Sequence, residues 1–412
     1  MTYRSRALRP LPVSRTGALF LLAVLAGAAA YYAAGCGGQG RTIEVWPGDG
    51  SPVNRAVQSA QPGDTILLHA GTYLEQVELD RDVTLRGADD GDVWIDAGCE
   101  RDHAIRITAS GATVERVGVR RTVQAGVLIQ DGAGRVTLEG MTIQDFNCRD
   151  QPHQHLAGVA VFYGGPRIRI VGNTIARRVD LPGDEQGYGN GIWFKSDTAH
   201  PSGGGHRILE NVITGGFDGI GGEAEQDPHG SFDRDTVIEG NTIAECWDDG
   251  IQVEGGNRNV RVRENTIRGC GIGIAFAPNL EGPLYIEGNV IRDLEPGQHG
   301  AQAAFKLGGG GAGVAHLTEN VVETEGTGIL QTDRGLSRVV ARRNVIRVDG
   351  YVIAVDETFP EGTSLDRDCL WTEGHQGWLI KWGGTYYDDL ERFAQETGHE
   401  RHGDQSGTCE GA

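Results

Sequence analysis

The chain has 412 residues, 65 of them glycine, roughly twice the usual share of about 7%. Its 57 acidic side chains outnumber 37 lysines and arginines, for a formal net charge of −20. No basic face can offset that acidity, which excludes a general nucleic-acid binder. One long apolar run, few prolines and no Gly-X-Y period exclude a polytopic membrane protein, a largely disordered chain and a collagen.

Arg4, Arg6, Arg9 and Arg15 precede an uncharged stretch from Gly17 to Ala34 that ends in Gly35-Cys36-Gly37-Gly38. A basic start, an apolar middle and small residues describe an export signal. Ala33-Ala34-Gly35-Cys36 resembles the lipobox of bacterial lipoproteins, with Ala33 where leucine is usual. That resemblance implies a signal over residues 1–36, lipidation of Cys36, and a body anchored to the cell envelope outside the cytoplasm. Six further cysteines permit disulfides in such a compartment. Cys246 and Cys270 are 24 residues apart, and Cys369 with Cys409 could tie down the tail. Cys148, His153 and His155 could bind a metal or sit in a solvated loop.

Val53–Ala60 has the apolar spacing of a short helix. From residue 173 one tripeptide recurs: Asn173-Thr-Ile, Asn211-Val-Ile, Asn241-Thr-Ile, Asn265-Thr-Ile, Asn289-Val-Ile, Asn320-Val-Val and Asn344-Val-Ile. A basal period of 24 with insertions predicts stacked coils carrying loops on some turns. Each coil holds short β-branched segments too short for helices. A glycine before a small apolar strand also recurs, as in Gly191-Ile192, Gly219-Ile220, Gly250-Ile251 and Gly273-Ile274. Asn suits a left-handed corner and can hydrogen-bond along a column of identical side chains. The prediction is an all-β, single-stranded right-handed parallel β-helix (solenoid) over residues 41–368, with a short N-terminal capping helix and a C-terminal cap over 369–412.

With Pro62-Gly63-Asp64-Thr65-Ile66, Ala70-Gly71-Thr72-Tyr73 and Val83-Thr84-Leu85-Arg86-Gly87 at its start, the chain resembles the pectate lyase superfamily. Trp371, Trp378, Lys381-Trp382-Gly383-Gly384 and a helical stretch near Tyr387–Thr397 resemble a C-terminal cap. The resemblance implies the pectin lyase-like fold but no single reaction, because that fold serves lyases, hydrolases, epimerases and non-catalytic surface proteins.

Aligning the coils on Gly-Ile puts positions 1 and 3 after the glycine toward the core (Ile192/Phe194, Ile220/Gly222, Ile251/Val253, Ile274/Phe276). Matching Phe305 to Phe276 extends the series. Position 4 then reads Lys195, Glu223, Glu254, Ala277 and Lys306 on an outward face, and position 2 adds Trp193 and Gln252. Asn190, Asp218 and Asp249 precede the glycines, with Asp248 beside the last. Lysine occurs only three times in the chain, at 195, 306 and 381, and two of these fall on this face. Stacked carboxylates repel unless a proton or cation lies between them; a salt-bridge ladder on a solvated face is the plainer alternative.

This face is expected to act on, or bind, an extracellular polysaccharide. For β-elimination from a uronate, Ca²⁺ held by Asp218, Glu223, Asp249 and Glu254 would neutralise the substrate carboxylate, with Lys306 or Lys195 as base. No organic cofactor is expected. For glycoside hydrolysis, Trp247-Asp248-Asp249-Gly250 and His299-Gly300 resemble elements of polygalacturonases, and paired carboxyls need no cation. For epimerisation, Asp227-Pro228-His229 resembles the Asp-Pro-His core of mannuronan C5-epimerases, which would make His229 a proton-transfer residue, although Gly230 replaces the following acid. Without catalysis, Trp193, Gln252 and Asn190 could still bind a sugar in a surface structural lipoprotein.

Overall fold

The computed structural model describes residues 40–149, 155–177, 189–223, 226–297, 300–374 and 377–408, without the Glu223 side chain. Cys36 and the export segment, His153, the insertion 179–188, Glu225, His299 and Cys409 lie outside the described residues.

Strands of three to six residues follow one another in a fixed rotation and build three sheets of 13, 12 and 13 strands among the described residues. Pairing is parallel throughout, except where Ile380–Trp382 turns back on Thr385–Tyr387. Each short strand sends one or two β-branched or aliphatic residues inward, and the same position stacks coil upon coil. In the first sheet the column includes Ile170, Ile208, Ile238 and Val262. In the second it includes Ile175, Ile213, Ile243 and Ile267. All are essentially fully buried. The chain is a right-handed parallel β-helix, and its parallel pairing continues past residue 368 through Cys369–Thr372 and Ile380–Trp382.

The asparagines line the corner between the first and second sheets. Asn241 Oδ1 accepts from the backbone N–H and Nδ2 of Asn211, while Asn241 Nδ2 donates to Ile208 O and to Asn265 Oδ1. The pattern repeats from Asn173 to Asn344. These asparagines do not themselves take the left-handed conformation expected from the sequence. The residue before them does, Gly240 at φ +66° and Glu264 at +56°. This leaves the asparagine extended, with its amide directed under the corner. The Gly-Ile signal has a different cause. A Cβ on Gly219 would stand 2.4 Å from Ile243 Cγ2 and 2.6 Å from Gly250 O, so on this coil the third sheet meets the second across glycine.

Both ends are closed. Helix Pro52–Ser59 covers the first coils with Val53, Ala56 and Val57, and the Glu75 carboxylate accepts from the free N–H groups of Val53 and Asn54. At the far end helix Leu390–Thr397 buries Leu390 and Phe393. The asparagine ladder ends on Asp368, whose Oδ1 accepts from Asn344 N and Nδ2; Asp368 N–H in turn donates to Glu400. Burial and the adjoining Asp368 push Glu400 up to about 10, so the folded protein holds a proton there. Two disulfides, Cys99–Cys148 and Cys246–Cys270, cross-link coils, which removes Cys148 from any metal site. Cys369 is disulfide-bonded as well.

Replacing Asn265 with Ala leaves Asn241 N–H and Ile238 O without side-chain partners. Each buried orphan costs about 1–3 kcal/mol. Amide exchange at Asn241 is expected to accelerate at least roughly tenfold, read by hydrogen–deuterium exchange. For Glu400 the folded pKa lies above the ordinary 4.5, so its contribution to stability is complete below about 4.5 and is lost as pH rises toward 10. Glu400→Gln is therefore expected to gain thermal stability relative to the parent on going from pH 5 to pH 9, measured as the difference in Tm at the two values.

Candidate functional site: a carboxyl cluster on the third sheet

Five consecutive strands of the third sheet, Asn190–Lys195, Ile220–Glu223, Asp249–Gln252, Ile272–Phe276 and Ala303–Leu307, carry the site. The first four coils pair as the Gly-Ile alignment predicts, with Ile192, Ile220, Ile251 and Ile274 stacked in the core. The fifth does not. Phe305 pairs with Ile274, not Phe276, because Ala303-Ala304-Phe305 repeats Ile272-Gly273-Ile274 with alanine in the small position. Lys306 therefore stands at position 2, paired with Ala275 in the column of Trp193, Gly221 and Gln252. Lys195 stays at position 4, beside Glu223. The two lysines do not share a column.

That shift carries Lys306 into the aspartates. Its side chain runs back across two coils, over the small Ala275, and places Nζ 2.8 Å from Asp249 Oδ2. Asp218, Asp248 and Asp249 each offer an oxygen within 4.8 Å of the others. They are 2%, 8% and 0% exposed. The backbone continues the arrangement: Asn190 Oδ1 accepts from Asp218 N–H at 3.3 Å, and Asp218 Oδ1 accepts from Asp249 N–H at 3.1 Å. Asn190 fills its rung without charge, so the ladder does not explain why the next two rungs are carboxyls. Gly221 leaves room for them. A Cβ there would lie 2.3 Å from Asn190 Nδ2 and 3.0 Å from Asp218 Oδ2.

Electrostatics divide the roles. Burial, reinforced by the Asp249 and Asp248 carboxylates, raises Asp218 well above the carboxylate range. Burial pushes Asp249 up to about 7 despite the attraction of Lys306. For Lys306 burial favours the neutral amine, but the attraction of Asp249 and Asp248 outweighs it and raises the pKa. Lys306 is thus an ammonium at neutral pH, opposite to what a lysine base requires. Three polar atoms around the cluster are buried without a hydrogen-bond partner among the described residues: Trp193 Nε1, Gln252 Oε1 and Asp249 Oδ1.

Of the calcium set read from the sequence, Asp218 and Asp249 are brought together, with Asp248 as a third oxygen donor in a group that could hold a metal ion. Glu254 is not part of that group, and the Glu223 side chain is not among those described. Glu223 and Glu254 stand five positions further along their strands than Asp218 and Asp249, roughly 16 Å away at the rise of a β-strand. The Lys306 ammonium engages Asp249 Oδ2 and leaves Asp249 Oδ1 without a partner among the described residues. His229 lies beyond the far ends of the strands, where its carbonyl accepts from Ser196 Oγ and its Nδ1 faces Arg258 at 2.9 Å and Asp233 at 3.6 Å. Asp227 caps its own turn, accepting from His229 N–H and from Thr198. Asp-Pro-His here is a braced turn away from the cluster.

A family model described as a right-handed beta helix region matches residues 186–347, the segment that holds the cluster. Among solved structures, the chain is similar to an alginate lyase from Paenibacillus sp. str. FPU-7, with 16% identity over 72% of this chain and 97% of that one, TM-score 0.50. It is also similar to a mannuronic acid specific polysaccharide family 6 lyase from human gut microbiota, with 14% identity over 83% and 82% of the two chains, TM-score 0.54. XylC in complex with xylose matches at 13% identity over 78% and 76%, TM-score 0.50. At these identities the likeness is one of fold, the right-handed parallel β-helix. A comparison with curated proteins finds no match.

Lys306→Met leaves Asp249 buried without its cation, a change that costs about 3–5 kcal/mol when a buried pair is broken. Because Asp249 then binds its proton over a wider pH range, the loss is expected to be larger at pH 8.5 than at pH 5. Paired thermal melts of the variant and parent at the two values check the sign.

Proposed function

We propose that this protein hydrolyses a glycosidic bond in an extracellular polysaccharide, with Asp218, Asp248, Asp249 and Lys306 as the reacting centre. The observation that carries the reading is the convergence of three carboxyls within 4.8 Å around one ammonium. Burying so many charges does not stabilise a fold, and shifted carboxyl pKa values of this kind mark sites of acid–base work. Asp218, the most strongly raised, supplies the proton to the departing sugar oxygen. Asp248, the most exposed of the three, acts on the opposite partner in the displacement. Asp249, held by Lys306, stabilises the positive charge that develops on the sugar ring. Trp193 and Gln252 flank Gly221 in its column, with Trp193 Nε1 and Gln252 Oε1 buried and without partners among the described residues. The basic and apolar N-terminus ending at Cys36 supports an exported, lipid-anchored protein.

β-Elimination is less well supported, because the lysine that reaches the cluster, Lys306, is a cation and not a base. Incubation with a panel of glycans, followed by mass spectrometry, separates the two. Hydrated fragments are expected, unchanged by a calcium chelator, and Asp218→Asn and Asp248→Asn should each lower kcat by roughly 10²–10⁴-fold. Unsaturated uronate products that vanish with chelator would assign the site to a lyase. A panel left wholly intact would remove the catalytic reading.

A further inference from the structure

On the N-terminal side of the carboxyl cluster the same outward face changes character. Leu128, Ala160 and Trp193 continue the Gly221 column over strands Val127–Gln130, Ala157–Phe162 and Asn190–Lys195. Ala125 and Ala157 pack beside them. Where these strands end, aromatic rings gather. Phe162 meets His155 and Tyr163, each with ring centroids at 4.6 Å, and Trp193 at 5.8 Å; Tyr163 meets His200 at 4.4 Å. A cavity of about 500 Å³ opens here, lined by His155, Phe162, Tyr163, His200, Gln130 and Asp131 among others. None of these rings belongs to the solenoid core, which is continuous without them.

The charges around the cavity narrow the ligand class. Its described lining contains one acid and neither lysine nor arginine. The acid, Asp131, lies 3.5 Å from Arg106, which is also 3.5 Å from Glu78, so that arginine is already balanced. Burial lowers the pKa of His155 and takes His103, packed against it at 5.6 Å, down to about 4. Both imidazoles are neutral at pH 7. No lysine or arginine lines the cavity, although Lys195 stands on the next strand in register with Phe162, so a carboxylate among the lining residues would lose water and meet a cation only at that edge. An uncharged sugar suits it: the C–H face of a pyranose buries against an aromatic ring, while Gln130, Asp131 and the ring edges of Tyr163 and His200 meet hydroxyls.

We propose that this cavity is a binding subsite for an uncharged pyranose unit, stacked on Phe162, of a glycan that continues along the solenoid toward Asp218 and Asp249. The continuation, not the cavity, rests on the hydrolase reading. Strand Ala157–Phe162 stands three strands from Asp249–Gln252, about 14 Å at the usual spacing. Phe162 lies five positions beyond Ala157, which shares the row of Asn190, Asp218 and Asp249, so the path from Phe162 to Asp249 is a diagonal of roughly 22 Å. Trp193, in contact with Phe162 and next to Gly221 in its column, bridges the two.

The test is calorimetric titration of the full chain and of its Asp248→Asn variant with cellohexaose, xylohexaose, mannohexaose and hexamannuronate. At least one neutral hexasaccharide should bind and hexamannuronate should not. Phe162→Leu keeps apolar volume without the ring, and His200 is 57% exposed in its side chain, so His200→Ala spares the fold. Each should weaken the neutral ligand roughly three- to tenfold. Equal binding of hexamannuronate, affinities unchanged in both variants, or no binding by any of the four probes would overturn the proposal. Because binding is read without turnover, a protein that binds cellohexaose through Phe162 yet cleaves nothing would overturn only the hydrolase.

Discussion

The side-chain amide of Asn241 touches three coils at once, and its repetition from Asn173 to Asn344 sets the spacing on which everything else depends. A parallel β-helix has no hairpin to define register, and a slip of one residue would turn every inward side chain outward. The ladder removes that freedom at one corner. Glycines such as Gly219 restrict it at another, since a Cβ there would collide with the second sheet's isoleucines. With both corners pinned, side chains from sequence positions as far apart as Asp218 and Lys306 are delivered to one outward face.

That face uses the same geometry for another end. Asn190, Asp218 and Asp249 form a second, shorter ladder in which side-chain oxygens accept backbone N–H groups from the neighbouring coil. Asparagine and aspartate are nearly the same shape, so either would satisfy those bonds. The difference is a titratable proton in a desolvated place. The core ladder stays neutral along its length, whereas the surface ladder gathers charge and then offsets it with a single ammonium from two coils away. The aromatic rings around Phe162 extend the same face in a direction where charge is scarce.

Much of this was legible in the sequence because the repeat exposes it. The Asn tripeptide gave away the corner, Gly-Ile the strand start, and the residues preceding glycine the Asn190–Asp218–Asp249 column. The misplacement of Lys306 is instructive. Matching Phe305 to Phe276 aligns like side chains, but register follows the small residue at the corner, and Ala304 takes that place. The reach of a lysine over Ala275, and its raised pKa, depend on packing across three coils that no local pattern encodes. The cavity near Phe162 escaped because its rings come from strand ends and loops outside both repeats, and its first coil carries Met141, which donates its N–H to Asn173 but has no side-chain amide, where the later coils have asparagine.

The asparagine ladder also has a direction. Every rung donates toward the C-terminus and accepts from the N-terminus, so the column begins at a residue that need only donate, Met141, and must end at one that can only accept. Asp368 is that terminus, with Glu400 behind it. A coil copied or deleted between Asn241 and Asn289, where the beat is uniform, leaves both ends intact and merely changes the count. A coil added after Asp368 would present an acceptor to a backbone donor already taken by Glu400, and the Asp368 side chain has no N–H to offer it. The polarity of a hydrogen-bonded column thus makes the interior of this molecule modular and its length a property of its last coil.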